Sequence, residues 1–462
     1  MTRLLAPCVL GMLLISGCAT QQQTPYRRPD VVVPAHWQSP TTGGQLASGT
    51  RWWTQFGDPQ LNALIDTVLR NNNDLAVAAL VLRRARLQAG VAENQMAPTL
   101  GGGGDANFSK ALRPTSSTAQ NYNASLTPSY ELDLWGQLAS QRDETSWEVN
   151  ATEWDRLASA LGLIGTTAQL YWQLSYLDQQ IAATQHSVQD AEHLVALLQT
   201  RPADDASRLE AAQAAQALAT RQAEVSAWQQ QRAAAQYALA ILANQPPESA
   251  LPTPSPLAQQ SIPDIPAGVP AKVLARRPDL QAAEWRLRES LAHVDSTRLS
   301  IYPTFTLTGH LSGSSSGLLD VLTHPVATLG LGVTLPFLHW RSNQLNIDTA
   351  QTDYEIAALR FRQTLYQALA DVETVLSARH YDQEQGVALQ QAADHAQVAE
   401  AEAERRYLAG KGTLKEWLDQ QDARRNNDSA VANNRYRQLN DTMAVYRSIG
   451  GDPTSPPPSV AE

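Results

Sequence analysis

The chain carries runs in which apolar and polar side chains alternate, the period of a β-strand with one buried face. The clearest run is Tyr122 to Leu134, where thirteen residues alternate without a break. Further runs of the same period cover 99–110, 304–311 and 329–337. Each is close to the roughly 9–11 residues of a tilted membrane strand. A soluble antiparallel sheet would show the same alternation, so the pattern predicts four strands and leaves their environment open.

The four runs form two pairs, and each pair is predicted to be a β-hairpin, at about 99–134 and 303–338. Stretches rich in Gly, Ser and Thr at 111–121 and 312–328 separate the strands, and we interpret them as extracellular loops. Four glycines, Gly101 to Gly104, interrupt the alternation of the first predicted strand because they have no side chain. The bounds of this strand are therefore the least defined.

Each hairpin is followed by a long segment whose apolar residues lie alternately four and three positions apart, the seam of packed helices. One segment runs from Gly136 to about Thr200 and the other from Arg341 to about Leu408. At about 1.5 Å per residue each predicted helix is about 100 Å long, which suits a tube that spans the periplasm. Breakers at 201–205 and 409–412 end these helices, and return helices are predicted at 208–243 and 414–449. The seams are Trp147, Ala151, Trp154, Ala158, Leu161, Gly165, Ala168 and Trp172 in the first segment, and Tyr354, Ala358, Phe361, Leu365, Ala368, Val372 and Val375 in the second.

The two halves of the chain repeat each other at a spacing of 205 residues. Asp74 returns as Asp279, Pro98 as Pro303 and Trp135 as Trp340, and 279−74, 303−98 and 340−135 each give 205. A helix is predicted from Pro59 to about Asn94, capped by Asp58 and broken near 71–73. The predicted organisation is a first repeat at 51–243, a Pro-rich linker at 244–270, a second repeat at 271–449 and a disordered tail at 450–462.

The N-terminus has the features of a secretion signal, with Arg3 before an apolar stretch that is too short to span a membrane. The triplet Ser16-Gly17-Cys18 resembles a bacterial lipobox, in which the cysteine is lipidated and becomes the new N-terminus. Residues 1–17 are then the signal peptide and 18–50 an extended, lipid-anchored tether. An ordinary signal peptide with a chance cysteine is the alternative. In the sorting rule that this motif resembles, Ala19 after the cysteine implies the outer membrane.

Composition excludes several classes of protein. The 462 residues carry a net charge of −10 and no clustered basic face, so no nucleic acid is expected as a partner. No stretch after Ile15 approaches the roughly 20 apolar residues of a spanning helix, so a membrane crossing would require a closed barrel. The only cysteines are Cys8 and Cys18, which leaves the mature chain without a disulfide framework or a thiolate metal site.

No motif for catalysis, a cofactor or a metal is present in the sequence, so the protein is not expected to be an enzyme. His186 and His193 lie seven residues apart on one predicted helix, and a solvated face is the simpler interpretation of that pair.

Three motifs resemble the outer-membrane efflux lipoproteins of the TolC/OprM (NodT) group. They are the segments 51–62 (RWWTQFGDPQLN), 130–136 (YELDLWG) and 276–280 (RRPDL), and the resemblance covers about residues 15 to 450. It implies an α+β membrane protein that is a homotrimer, in which four strands per chain close one 12-stranded β-barrel in the outer membrane. A long helical barrel would continue it into the periplasm. A periplasmic adaptor (membrane fusion) protein, an inner-membrane pump and outer-membrane lipid would be its partners.

The function implied by this resemblance is a passive, gated exit duct for small molecules or drugs in a tripartite efflux system. Two alternatives stay open from the sequence. The duct could serve protein secretion, or the protein could be a structural periplasmic lipoprotein that conducts nothing.

The resemblance also implies sites at the periplasmic tips. The family has an Asp nine positions after the tip glycine and often an Arg twelve positions after it. Here these positions hold Asp419 and Asp422, counted from Gly410. Three residues apart, they share one helix face and predict a periplasmic gate that favours cations, although a solvated face would look the same. The predicted adaptor-contact residues are Asp204, Asp205, Gly410, Lys411, Gly412 and Leu414. Because only the second tip keeps its glycines, we expect the second helical hairpin to be the one that moves.

Overall fold

The computed structural model describes residues 24–40, 51–110, 118–200, 205–264, 270, 273 and 275–451. The predicted signal peptide, Cys18, Asp204 and the tail from residue 452 lie outside these residues. In chain order the longer elements are α1 (Pro59–Asn71), α2 (Asn73–Gln95), β1 (Thr99–Lys110), β2 (Thr118–Leu132), α3 (Gln137–Gln199), α4 (Asp205–Leu242), α5 (Pro278–Leu299), β3 (Thr304–Ser315), β4 (Val326–Thr334), α6 (Trp340–Leu408) and α7 (Leu414–Ser448). The order of helix, strand pair, long helix and return helix therefore occurs twice. We call α3 with α4 the first hairpin and α6 with α7 the second hairpin.

The four strands form one antiparallel sheet in the order β1-β2-β3-β4. Residues directly opposite each other share a face, and the register places Leu126 opposite Leu311 and Leu307 opposite Leu331. The predicted alternation therefore gives one continuous apolar face across all four strands, and most of its large side chains are exposed to solvent in the single chain. The strands β1 and β4 each keep one unpaired edge. The apolar face includes Leu100, Phe108, Leu126, Tyr130, Phe305, Leu307, Leu311, Leu329, Leu331 and Val333.

The strands differ from the predicted bounds at several ends. β2 begins at Thr118 and β3 continues to Ser315, so parts of the predicted loops 111–121 and 312–328 are strand. The turn residues Gly and Ser are compatible with these extensions because the backbones pair across β2 and β3, for example Ala124 with Gly313. At the other end β4 stops at Thr334, because Pro336 cannot donate a ladder hydrogen bond and opens a 3-10 turn instead.

Local chemistry accounts for the starts of the first helices. The Asp58 carboxylate accepts hydrogen bonds from the backbone N–H groups of Gln60 (2.9 Å) and Leu61 (3.2 Å), and Pro59 occupies the first helical position. Asn72 interrupts the helix, and its side chain then caps α2 through the Leu75 N–H at 3.0 Å. The predicted break at 71–73 is thus a side-chain cap.

The internal repeat extends to individual hydrogen bonds. Asn72 Nδ2 donates to the carbonyl of Leu242 at the end of α4, at 2.9 Å. Arg277, which lies 277−72 = 205 residues later, donates from Nη1 to the carbonyl of Ser448 at the end of α7, at 3.2 Å. In both repeats a side chain at the start of one helix therefore satisfies the last carbonyls of the return helix. Arg277 is mostly buried and pairs in addition with Asp279 (2.6 Å) and Asp371 (3.1 Å).

The chain forms two compact units that cut across the two repeats. The described residues of Met1–Val31, Leu80–Glu153 and Ala282–Gln363 form one unit, which contains the sheet. Val32–Ala79, Trp154–Gln281 and Thr364–Glu462 supply the other. The core of this second unit is built on the first family-like motif, since Trp52 stacks on Tyr446 with ring centroids 4.7 Å apart. Among the described helices, none combines the length and apolarity that a membrane span requires.

The described part of the predicted tether packs along the protein. The backbone N–H and the hydroxyl of Thr24 both donate to the buried carboxylate of Asp295, each at 2.7 Å. The Arg288 guanidinium lies over the Tyr26 ring at 4.5 Å and over the Trp285 ring at 4.6 Å. Residues 24–26 are therefore held on α5 by named contacts, in addition to any lipid at Cys18.

The two tryptophans at the strand-to-helix junctions have different environments. Trp135 donates from Nε1 to the Pro303 carbonyl at 2.8 Å and stacks on Tyr302, so it ties the two repeats together beneath the sheet. Trp340 is exposed, and it alone of the pair is available to a lipid interface.

Candidate functional site

The tip of the second hairpin is a tight turn fixed by backbone hydrogen bonds. Gly410 has a positive φ of 68°, and the N–H of Lys411 donates to the Arg406 carbonyl at 2.8 Å, the pattern that closes a helix at a glycine. The next helix begins with a reciprocal cap, in which Thr413 Oγ1 accepts from the Glu416 N–H and the Glu416 carboxylate accepts from the Thr413 N–H. The turn is therefore short and well defined.

Beneath the tip, the ends of both hairpins share a small apolar cluster. Tyr407 stacks on Trp417 with centroids 5.5 Å apart, and its hydroxyl donates to Glu210 at 3.3 Å. Leu414, a predicted adaptor-contact residue, is 1% exposed, so it stabilises the tip from inside and forms no part of its surface. The cluster consists of Leu194, Leu198, Ala214, Tyr407, Leu414 and Leu418.

The other predicted contact residues have separate positions. Gly410 and Lys411 are exposed at the turn and Gly412 is half-buried. Asp205 is the first residue of α4. The surface that the described second tip offers to a partner therefore includes its backbone turn, Lys411 and the exposed side chain of Leu408.

The structure pairs both predicted gate carboxylates with cations. Asp419 is exposed and accepts from Lys415, one turn earlier, at 2.6 Å. Asp422 accepts from Arg425 at 2.8 Å and from Arg221 of α4 at 3.5 Å. The two acids therefore lie on one helix, as predicted, and differ in their partners. Asp419 is bound within its own helix and Asp422 reaches across to α4.

The contact between α4 and α7 is a chain of charges around Arg221. Its side chain is 3% exposed, and it donates to Gln421 at 3.1 Å as well as to Asp422. Arg425 of α7 forms a second ion pair with α4 by donating to Glu224 at 3.2 Å. Burial lowers the pKa of Arg221, and the neighbouring Arg425 acts in the same direction, whereas Asp422 opposes both. A buried guanidinium depends on its partners, so removing Asp422 would leave Arg221 underpaired.

Sequence reasoning did not identify Arg221, Glu224 or Arg425. The first two lie about 200 residues before their partners in the chain, and no local spacing connects them. The helix carries other charged residues, such as Arg208, Glu210 and Arg232, so nothing local in the sequence distinguished Arg221. Within the residues that the structure describes, no group of three or more potential ligands could hold a metal ion.

Comparison with known proteins places these features in context. A model of the family described as outer membrane efflux protein matches residues 64–245 and 269–451, which follow the two repeats. The pyoverdine export outer membrane protein OpmQ of Pseudomonas putida is 31% identical over 433 residues, 91% of this chain and 92% of that protein. Toxin and drug export protein A of Aggregatibacter actinomycetemcomitans is 29% identical over 403 residues, 87% of this chain and 88% of that protein. The open state of the Neisseria gonorrhoeae MtrE outer membrane channel has a TM-score of 0.84 at 27% identity, covering 93% of this chain and 98% of that one.

Proposed function

The chain belongs to the outer membrane efflux protein family, and from that premise we propose that it is the gated exit duct of a tripartite efflux system. Its relatives are outer membrane components of export and efflux systems, and its structural neighbours are trimeric outer-membrane channels. The duct itself has no energy source, and transport selectivity would lie mostly in the pump.

The observation that carries this proposal is the four-stranded sheet with one apolar face and two free edges. Unpaired strand edges are not stable in lipid, and the smallest known membrane barrels have about eight strands. One chain therefore cannot close a barrel, whereas three chains supply 3 × 4 = 12 strands. The unpaired edge of β4 in one chain would pair with that of β1 in the next.

We further propose that the duct works with a periplasmic adaptor protein and an inner-membrane pump. The tip of the second hairpin would meet the adaptor through its exposed turn, with Gly410 and Lys411 at the surface. From the resemblance, we propose Asp204 and Asp205 as the contact residues of the first hairpin. The names of the relatives mention pyoverdine export and drug export, which supports small molecules as the substrate class for this chain.

The gate would be held by the charges between α4 and α7. Asp422 binds Arg221 and Arg425, and Arg425 also binds Glu224, so separating the two helices would break several ion pairs at once. Among the described residues, Asp419 pairs with the exposed Lys415 of its own helix. We therefore propose that the ion pairs of Asp422 keep the gate closed and that Asp419 contributes to ion selectivity at the pore.

Single-channel recording on the purified trimer in planar bilayers tests the duct. We expect ion conductance from the wild-type protein and membrane association that persists in the Cys18→Ala variant, since the barrel itself would hold the protein in the membrane. A protein that is soluble without the lipid and conducts nothing would instead be a structural spacer.

The same recordings test the gate. Asp422→Ala should raise the leak by releasing α7, and Asp419→Ala should reduce cation preference with little change in leak. Asp428→Ala is the matched control, because Asp428 lies on the same helix and pairs with Arg424 away from α4. Equal leak conductance in the Asp422→Ala and Asp428→Ala variants would refute the role of Asp422 in closing the gate.

A further inference from the structure

The second hairpin contains a row of polar side chains between its helices. Asn434 Nδ2 and Gln438 Nε2, both on α7, donate to the backbone carbonyl of Asp382 on α6, at 2.9 and 3.0 Å. Gln438 also donates to Asn434 Oδ1 at 2.8 Å, and Asn434 is almost fully buried. We call Asp382, Asn434, Gln438 and Asp441 the polar seam.

The helices approach closely at the seam, and a groove opens beside it. A Cβ atom at Gly386 would lie 2.6 Å from Asn434 Oδ1 and 2.7 Å from Gln438 Nε2, so the helices approach this closely because residue 386 has no side chain. A groove of about 540 Å³ opens along Gly386, Asn434 and Gln438. The groove therefore reaches the seam at its two amide side chains, Asn434 and Gln438.

Two carboxyl groups meet within the seam. Asp441 interacts with Asp382 across the helices, and its Oδ2 is buried without a hydrogen-bond partner among the described residues. Burial first, and then the carboxyl of Asp382, raise the pKa of Asp441 to about 7. A buried acceptor without a donor, next to a second acid, is the arrangement in which two carboxyls share one proton.

The charged groups around the pair oppose this effect only in part. Arg437 lies 3.2 Å from Asp382 Oδ1, and its charge acts to lower the pKa of Asp441. On α6, Arg379 is engaged by Asp264 at 3.0 Å, and His380 lies 3.4 Å from Glu384. On α7, Arg435 donates to the carbonyl of Gln260. On the first hairpin, Asp178 pairs with Arg232.

The first hairpin has no such pair at the corresponding positions. At the spacing of 205 residues, Asp382 corresponds to Leu177 (382−177 = 205) and Asp441 corresponds to Gln236 (441−236 = 205). Leu177 is buried in the apolar core at 1% exposure, and Gln236 accepts a hydrogen bond from Arg232 at 3.0 Å. The acid pair is therefore a property of the second repeat alone.

We propose that Asp382 and Asp441 form a proton-dependent latch inside the second hairpin. With one shared proton the two acids hold α6 and α7 together, and without it two adjacent carboxylates repel and loosen the hairpin. This inference rests on the proposed function, because the loosened hairpin carries the gate at its tip.

The direction of the pH effect follows from the raised pKa. The pKa of Asp441 in the fold, about 7, exceeds its ordinary value of 3.8. Its contribution to stability is therefore complete below about pH 4 and is lost as the pH rises through about 7. Alkaline periplasmic conditions would favour the loosened hairpin.

The test compares the wild-type trimer with Asp441→Asn, which keeps the size of the side chain and removes its titration. Between pH 5.5 and 8.5 we expect the thermal midpoint of the wild type to fall and its leak conductance to rise on the order of tenfold, since each pH unit beyond a pKa changes the ratio of protonation states by ten. In Asp441→Asn and in Asp382→Asn both slopes should be much smaller.

Two controls separate the outcomes. Asp428→Asn removes an exposed carboxyl from the same helix and should keep the wild-type slope. Glu289, whose pKa burial and Glu148 raise to about 7, adds a slope common to all variants, so only the difference between variants is used. An unchanged slope in Asp441→Asn would overturn the latch, whereas absence of conductance at every pH in the wild type would refute the proposed function and leave the midpoint test intact.

Discussion

The two helical hairpins share one plan and differ in what lies between their helices. In the first, Leu177 and Ala235 belong to a large apolar core with Tyr171, Trp172 and Leu239. The second hairpin joins the same core through Leu376, Leu439 and Met443, and it adds the polar seam beside that core. Apolar packing has one close arrangement and loses contacts as soon as it opens. A seam of amides and acids can exchange its internal hydrogen bonds for water at small net cost. The first hairpin is thus suited to be a scaffold and the second to move.

The largest change in stability is expected when the residues at one pair of corresponding positions, 177 and 382, are exchanged between the hairpins. Leu177→Asp places a carboxylate in an apolar core, and we expect a loss of about 5 kcal/mol or more, enough to prevent assembly. Asp382→Leu, the reverse change, leaves Arg437 without this ion pair at a partly exposed position, and we expect a smaller loss of about 1–2 kcal/mol. Thermal unfolding of both variants in detergent measures the contrast. Similar losses in the two would show that the hairpins are equally rigid.

The second comparison concerns Asn72 and Arg277, the equivalent residues that donate to the last carbonyls of the return helices α4 and α7. Arg277→Ala leaves Asp371 and the carbonyls of Ala368 and Ser448 without their buried donor, and it should cost about 3–5 kcal/mol. Asn72→Ala removes a cap and one neutral hydrogen bond, with an expected cost of about 1–2 kcal/mol. The same midpoint assay ranks them, and a larger effect for Asn72 would contradict the assignment of Arg277 as the main tie of the second repeat.

The smallest expected changes in stability come from replacing a glycine by alanine, once in the tip of the second hairpin and once inside a helix. Gly410→Ala places a side chain at φ 68° with open space around it, so strain alone should cost about 1 kcal/mol and raise amide exchange near the tip. Gly162→Ala also meets no neighbour, but it lies within α3, where alanine should stabilise by about 0.5–1 kcal/mol. Opposite signs for these two glycines are the expected result.

Much of the fold follows from periods in the sequence. The alternation at Tyr122–Leu134 corresponds to β2, and the spacing of 205 residues is kept between the first residues of β1 and β3. Both are local or self-similar signals, which one sequence contains in full. Strand ends were less predictable, because pairing with a neighbour extended β2 and β3 into segments of turn composition.

The site was less predictable than the fold for a related reason. Asp419 and Asp422 were identified by their distance from Gly410, which the chain itself records. Their partners were not, since Arg221 reaches Asp422 from another helix about 200 residues away. The heptad pattern of the second long helix predicted the buried Phe361, Leu365 and Val372. It gave no indication that the same interface turns polar ten residues after Val372.

The unpaired edges of β1 and β4 have a consequence for the life of the protein before it is assembled. A single chain exposes two rows of free backbone donors and acceptors beside an apolar face, which is a template for aggregation. Closing the ring requires three copies to meet, so the yield of native protein depends on local concentration, and its measured stability does as well. Overproduction or slow delivery to the membrane should therefore lower the amount of assembled channel, because unassembled chains aggregate.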